Sequence, residues 1–178
     1  MEAWKKKGGM VRPITFTTMF TPMEREVLGN LASMVANKLM ERARAGAEDN
    51  DPLAELTGMT GGNSYLPDEA GLARLLPDFE REEDQQFEGD NALLRELHES
   101  DIISAKLTNL QLVGDKLGPD GSVEVVLSLE EAPLWLGAVN DIRLYLAAEQ
   151  EEHPHAHDGD NVVEWLGYNV ESLLEVLM

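Results

Sequence analysis

The chain has 178 residues, 43% of them apolar, which suffices for a domain with its own core and excludes a largely disordered protein. It has no cysteine, which excludes disulfides, thiolate nucleophiles and cysteine-ligated zinc. The net charge of −20 divides into +4 on residues 1–44 and −24 on residues 45–178, and so acidic a body disfavours general binding to nucleic acid.

Residues 2–19 predict a β-hairpin. The dipeptide Gly8-Gly9 favours a tight turn, and the run that follows it is rich in β-branched residues. Pro13 has no amide hydrogen to donate, so the second strand, at least at its start, should lie at a sheet edge. Apolar and polar residues alternate again over 122–128, and we expect this third strand to join the hairpin in a small antiparallel sheet.

Six further segments have the capping signals or the apolar spacing of helices. They are residues 22–44, 51–57, 68–76, 91–113, 130–148 and 161–177. Thr21 with Glu24, and Ser128 with Glu131, predict capping boxes at two of the helix starts. Pro133 comes soon after the second box, so we expect either a later helix start there or a distorted first turn.

The apolar spacing also predicts which side of each long helix faces the core. In 91–113 the register is uneven, and either a bend or two overlapping faces would explain it. The inward residues predicted there are Leu94, Leu97, Leu107 and Leu110. In 130–148 the predicted stripe is Trp135, Ala138, Val139, Ile142, Tyr145 and Leu146. In 161–177 it is Val162, Leu166, Val170, Leu173 and Leu177.

These elements predict one domain over residues 1–178, of the mainly α (α+β) class, with the hairpin and the 122–128 strand as its small sheet. No window holds the roughly 20 apolar residues of a membrane span. The lysines near the start are not followed by an apolar run, so no signal peptide is predicted. With no cysteine to form disulfides, a cytoplasmic protein is the simplest expectation.

Short motifs in a fixed order connect the chain to a known family. They are Trp4, Asp51-Pro52-Leu53, Leu56-Thr57-Gly58, Ala73-Arg74-Leu75-Leu76-Pro77-Asp78, Asn140-Asp141-Ile142-Arg143-Leu144, Glu164-Trp165-Leu166 and Glu171-Ser172-Leu173. Through them the chain resembles, over nearly its whole length, an actinobacterial family described only as a domain of unknown function. The sequence departs from that pattern at Pro133 and in the His-bearing loop.

The resemblance implies a cytoplasmic actinobacterial protein and brings no catalytic residues with it. In that family the gene often lies near the gene for the adaptor of the Clp protease, which implies a link to regulated proteolysis or to a stress response. Some relatives are labelled transcriptional regulators, a label that the acidic composition does not support.

A His-rich tract is the first candidate site. His153, His155, His157 and Asp158 supply the ligand types that zinc, nickel or copper prefer. Their spacing matches no defined metal motif, and short His-rich loops bind metals adventitiously. No cofactor is therefore predicted, and a metal-binding protein or metal-dependent enzyme stays the alternative.

Arg143, one of six basic residues after position 44, is the second candidate. Its guanidinium could anchor a carboxylate or phosphate. The competing interpretation is an ion pair with Glu164 or Glu171 that holds the last two predicted helices in register.

The basic N-terminal segment is the third candidate. Lys5, Lys6, Lys7 and Arg12 could steer the chain towards an acidic partner, or could simply rest on its own acidic surface. Duplex DNA is the further alternative, in which the chain would be a DNA-linked regulator.

The sequence therefore predicts a non-enzymatic cytoplasmic interaction or regulatory protein with an unidentified protein partner. It contains no Gly-x-Ser-x-Gly elbow, no His-Glu-x-x-His pair and no P-loop. Apolar residues on several sides of the last predicted helix leave homo-oligomerisation open.

Overall fold

The computed structural model describes residues 1–9, 12–48, 63–81, 89–118, 124–153 and 160–178. These residues form three strands and five helices. In chain order they are β1 Lys5–Gly9, β2 Arg12–Met19, α1 Pro22–Glu48, α2 Ala70–Leu75, α3 Asp90–Leu117, β3 Glu124–Ser128, α4 Glu131–Glu152 and α5 Asp160–Leu177. The predicted class, mainly α with a small antiparallel sheet, is confirmed. The helix predicted over 51–57 lies outside the described residues.

The sheet has the order β1-β2-β3, and both pairings are antiparallel. Strand β2 is therefore central, and the predicted edge position holds only at its start. Pairing with β3 begins at Thr15 opposite Ser128, so Pro13 precedes it. The turn predicted at Gly8-Gly9 is also misplaced, because both glycines belong to β1 and Gly9 pairs with Arg12.

Both predicted capping boxes form. The Thr21 amide donates to Glu24 Oε2 at 2.8 Å, and the Glu24 amide donates to Thr21 Oγ1 at 3.2 Å. The Ser128 amide likewise donates to Glu131 Oε2 at 2.9 Å. Pro133 is the third residue of α4, where a backbone amide would have no carbonyl partner within the helix. The proline therefore fits the first turn.

The two tryptophan-bearing helices direct the predicted stripes towards the core, although Leu146, Val162, Val170 and Leu177 are only partly buried. Trp135 is fully buried at the centre of the core, and its ring meets Trp4 edge to face with centroids 5.7 Å apart. Asn169 of α5 accepts from both indoles, at 3.1 Å from Trp4 Nε1 and 3.3 Å from Trp135 Nε1. The Trp4 amide donates to Ser172 Oγ at 2.8 Å. These bonds fasten the segment before β1 to α4 and α5.

The N-terminal half of α3 contradicts its predicted register. Leu97, predicted to face inward, is 46% exposed, whereas Arg95 and Glu99 are 1% and 2% exposed. The helix runs without interruption from Asp90 to Leu117. Two charged residues therefore occupy the inward face there because partners from other elements pair with them.

Helix α2 packs closely on α4. The Gly71 amide donates to Glu149 Oε1 at 2.7 Å, and a Cβ on Gly71 would overlap the ring of Tyr145. Among the described residues, no helix combines the length and apolar character needed to cross a bilayer.

Gly71→Ala should therefore lower the free energy of unfolding by about 1–3 kcal/mol, as overpacking of a tight contact does. Gly114→Ala on α3 is the matched control, because a Cβ there would meet nothing within 4 Å. Its helix should gain up to about 1 kcal/mol. Urea unfolding of both variants measures the difference, and equal stabilities would contradict the predicted clash.

Candidate functional site

A buried charge network joins four buried side chains, those of Arg42, Asn63, Arg95 and Glu99, to the half-exposed Asp78. Arg42 belongs to α1, Arg95 and Glu99 to α3, and the other two to the segments on either side of α2. Arg42 is 7% exposed and Asn63 is 4% exposed. Ionisable side chains are rarely buried this deeply unless they are paired.

Glu99 lies at the centre of the network. It accepts from Arg42 Nε at 2.7 Å, from Arg95 Nη1 at 2.8 Å and from Asn63 Nδ2 at 2.8 Å. Arg42 Nη2 adds a fourth bond at 3.2 Å. Both carboxylate oxygens therefore accept hydrogen bonds, from three side chains of which two, Arg42 and Arg95, are cationic.

The two arginines also reach outward from Glu99. Arg95 Nη1 donates to the Leu76 carbonyl at 3.0 Å, and Arg95 Nη2 donates to Asp78 Oδ1 at 2.8 Å. Arg42 Nη2 donates to the Tyr65 carbonyl, and the Arg42 guanidinium lies 4.8 Å from the centre of the Tyr65 ring. The network therefore links α1 and α3 to the segments that flank α2.

The electrostatics of Glu99 oppose a catalytic role. Burial by itself raises the pKa of Glu99, but the hydrogen bonds from Arg42, Arg95 and Asn63 outweigh it, so the pKa lies below its ordinary value. A general base near neutral pH needs a raised carboxyl pKa and an accessible lone pair. Glu99 offers neither, and the arrangement is that of a structural ion cluster.

A small cavity of about 210 Å³ adjoins the network and is lined by Leu75, Ile102 and Lys106, among others. Lys106 Nζ donates to Asp141 Oδ1 at 2.8 Å. Burial raises the pKa of Asp141 although Lys106 counteracts it. The cations at this cavity are paired with carboxylates of the protein, which leaves it poorly suited to an anionic ligand.

The His-rich tract is only partly described. His153 is exposed just after α4, whereas His155, His157 and Asp158 lie outside the described residues. Within the described ranges, no group of three or more His, Asp or Glu side chains could hold a metal ion. The metal hypothesis for this tract stays a prediction.

Arg143 has a different partner from those predicted. Its Nη2 donates to Asn140 Oδ1 at 2.9 Å and its Nε does so at 3.3 Å, three residues back on α4. Its aliphatic stem faces Gly167 on α5. The side chain is half-buried and helps α4 pack on α5 through its stem. Within the part of the chain that the structure describes, it forms no ion pair with Glu164 or Glu171.

The three lysines of the basic segment lie on the edge strand β1, and Arg12 begins β2. Lys5 pairs with Glu2 at 2.9 Å and Lys7 pairs with Glu124 of β3 at 3.1 Å, while Lys6 and Arg12 are exposed. Lysines on an edge strand hinder pairing with the edge of another sheet, which is a structural reason for the run of three. The geometry thus supports the interpretation that part of this charge rests on the protein's own acidic side chains.

Sequence reasoning missed the buried charge network and Asn169. Arg95 and Glu99 are four residues apart, a helical ion-pair spacing that could have drawn attention to them. That signal was concealed by neighbouring leucines at 93, 94 and 97, which suggested an apolar inward face. No local signal identifies Arg42 or Asn63, because their partners are distant in the chain.

Comparisons with known proteins identify relatives of the whole chain. A family model described as "Domain of unknown function (DUF2017)" matches residues 1–177. A protein of Mycobacterium tuberculosis strain H37Rv named "Oxidative stress regulator AosR" is 35% identical over 194 residues, covering 98% of this chain and 87% of the relative. A Mycobacterium bovis protein of the same name matches equally. A Mycobacterium leprae relative is 32% identical over 197 residues, covering 98% and 88%. No solved structure matches the chain.

Proposed function

The chain belongs to the DUF2017 family, and we propose that it is a cytoplasmic regulatory protein of the oxidative stress response that acts through contacts with another protein. The observation that carries the proposal is the 35% identity, over 98% of the chain, to mycobacterial proteins named oxidative stress regulators. The match covers 98% of the chain and 87% of the relative.

The chemistry of the described residues supports a role without catalysis. Both oxygens of the Glu99 carboxylate, the most deeply buried one, already accept hydrogen bonds. In the adjoining cavity, Lys106 is paired with Asp141 and Arg95 with Asp78 and Glu99, so neither cation is free to bind a ligand. A regulatory protein needs a stable fold and a surface that binds its partner. The buried charge network contributes to the fold, because it holds α1, α3 and the segments beside α2 together.

The composition restricts how the chain could respond to an oxidant. With no cysteine, it cannot form a sulfenic acid or a disulfide of its own. Sensitivity to oxidant would then reside in its methionines or in a partner. This favours a regulator that relays a signal by binding.

Two alternatives differ in class. DNA binding by the basic segment is opposed by the net charge of −20 and by the pairing of Lys5 and Lys7 with carboxylates. Metal binding by the 153–160 tract is tested directly by equilibrium dialysis with zinc or nickel. The link to Clp-dependent proteolysis stays a prediction of the resemblance.

Deletion of the gene in its own organism tests the proposal. We expect the deletion strain to survive hydrogen peroxide at least tenfold less well than its parent, and a plasmid copy to restore survival. Colony counts after a graded exposure measure this. Survival equal to the parent's, with expression of the chain verified in the parent, would count against a role in this response.

A further inference from the structure

A long groove between α1 and α3 is a feature that neither the buried network nor the family membership accounts for. The two helices lie antiparallel: Arg25 near the start of α1 donates to the Gly118 carbonyl at 2.8 Å, and Arg42 near its end reaches Glu99. Two surface cavities of about 380 Å³ and 420 Å³ lie along them. They meet at Ser33 and Gly114, which line both.

The groove is long enough to hold a helix. Its α1 wall extends from Pro22 to Met40, about 27 Å at the helical rise of 1.5 Å per residue. Its floor is apolar at the Met40 end, where Ala32, Ala36 and Leu110 lie. The small residues along it would let a second helix approach closely.

Gly114 has no role within the fold that explains it. It lies inside α3 with an ordinary helical backbone, where glycine costs about 0.5–1 kcal/mol relative to alanine. A Cβ on Gly114 would meet nothing within 4 Å, and one on Gly29, across the groove, would make only an ordinary contact at 3.9 Å. Gly29 and Gly114 therefore lower the stability of their helices at two positions that face the groove, although there is room for an alanine at each.

The charges at the rim indicate what would occupy the groove. Glu26 on α1 and Asp115 on α3 line it and are exposed. The guanidinium of Arg25 at one end already donates to the carbonyls of Leu117 and Gly118. Arg25 is half-buried and keeps its positive charge, but the two exposed carboxylates outnumber it, so the exposed charge of the lining is negative. The net charge of −20 would steer a cationic partner in the same sense.

The α3 wall continues into exposed leucines. Leu97, Ser104 and Gln111 are spaced by seven residues, or two helical turns, and so share a face. Leu97 is 46% exposed and Leu93, one turn earlier, is 57% exposed. Apolar side chains on the line of the groove extend the surface that an amphipathic helix could cover.

We propose that the α1–α3 groove binds a basic amphipathic helix of a partner protein, with apolar residues towards Ala36 and Leu110 and Lys or Arg towards Glu26 and Asp115. This deepens the proposed regulatory function, on which it rests, by naming the surface and the chemistry of the partner. A second copy of the chain fits less well, since two bodies of charge −20 repel each other.

Selection from a displayed library of 18-residue helical peptides tests the groove in vitro, without reference to any stress phenotype. Enriched peptides should be amphipathic with a net positive charge. Gly114→Leu should weaken the best peptide at least tenfold in fluorescence anisotropy, while Ala105→Leu, exposed on another face of α3, should leave its affinity unchanged. Thermal melts of both variants verify that they fold.

A charge variant tests the same surface by reversing the charge of one residue at its rim. Asp115→Lys should weaken the peptide severalfold at low salt, and Glu175→Lys, the same reversal of charge on an exposed residue of α5, should not. Enrichment of acidic peptides, no enrichment, or equal binding to Gly114→Leu would overturn the proposal. So would a dimer of the wild-type chain in sedimentation that Gly114→Leu dissociates, because the groove would then be covered by a second copy.

Discussion

Glu99→Gln is expected to lower the free energy of unfolding by about 3–5 kcal/mol, because it leaves two buried arginines without their shared anion. Both guanidiniums are almost inaccessible to water, so solvent cannot replace the lost charge. Glu96→Gln is the control, since Glu96 is exposed on the same helix. Urea unfolding followed by circular dichroism measures both variants.

The same network predicts an acid dependence of stability. The pKa of Glu99 is lower in the folded chain than its ordinary 4.5, so the unfolded chain binds the proton more readily. The stabilisation from this group is therefore complete above the ordinary value and is lost as the pH falls through the lower, folded value. Glu99→Gln should flatten this part of the stability curve, and Glu96→Gln should leave it unchanged. An unchanged midpoint and unchanged acid dependence in Glu99→Gln would show that the network contributes nothing.

Asn169→Leu is expected to lower the free energy of unfolding more than any other of these substitutions except Glu99→Gln. Leucine has the same number and branching of side-chain heavy atoms as asparagine, but it removes the oxygen that accepts from Trp4 and Trp135. Each indole N–H would then be buried without an acceptor, at a cost of about 1–3 kcal/mol apiece. The loss should appear as a lower midpoint in both thermal and urea unfolding.

Asn37→Leu provides the comparison for that variant, because Asn37 is exposed on α1. Its stability should stay within about 0.5 kcal/mol of the parent's, as is usual for surface substitutions. Tryptophan fluorescence distinguishes the two further, since Asn169→Leu changes the surroundings of two indoles. Equal stability of the two variants would show that the indole hydrogen bonds are dispensable.

Local signals were sufficient to predict much of the fold. The capping boxes at Thr21 and Ser128 form as predicted because each depends on residues three apart in the chain. The stripe on α4 was predicted because apolar residues at helical spacing have one way to be buried together. Helix ends were less accurate, and α1 continues to Glu48 rather than residue 44.

The features that sequence reasoning missed depend on distant partners. Arg95 and Glu99 face inward because Arg42, more than fifty positions earlier, and Asp78 complete their pairing. Similarly, nothing near Gly8 showed that β1 would continue past it, because the pairing with β2 determines where the turn falls. The groove likewise exists only once α1 and α3 lie side by side.

Transcript profiling tests whether the chain regulates a response to oxidants. RNA from the parent, the deletion strain and the complemented strain would be sequenced before and after peroxide. We predict a set of transcripts whose response to peroxide is lost in the deletion strain and restored by the wild-type copy. Indistinguishable responses in all three strains, with the protein present in the parent, would show that the chain does not regulate this response.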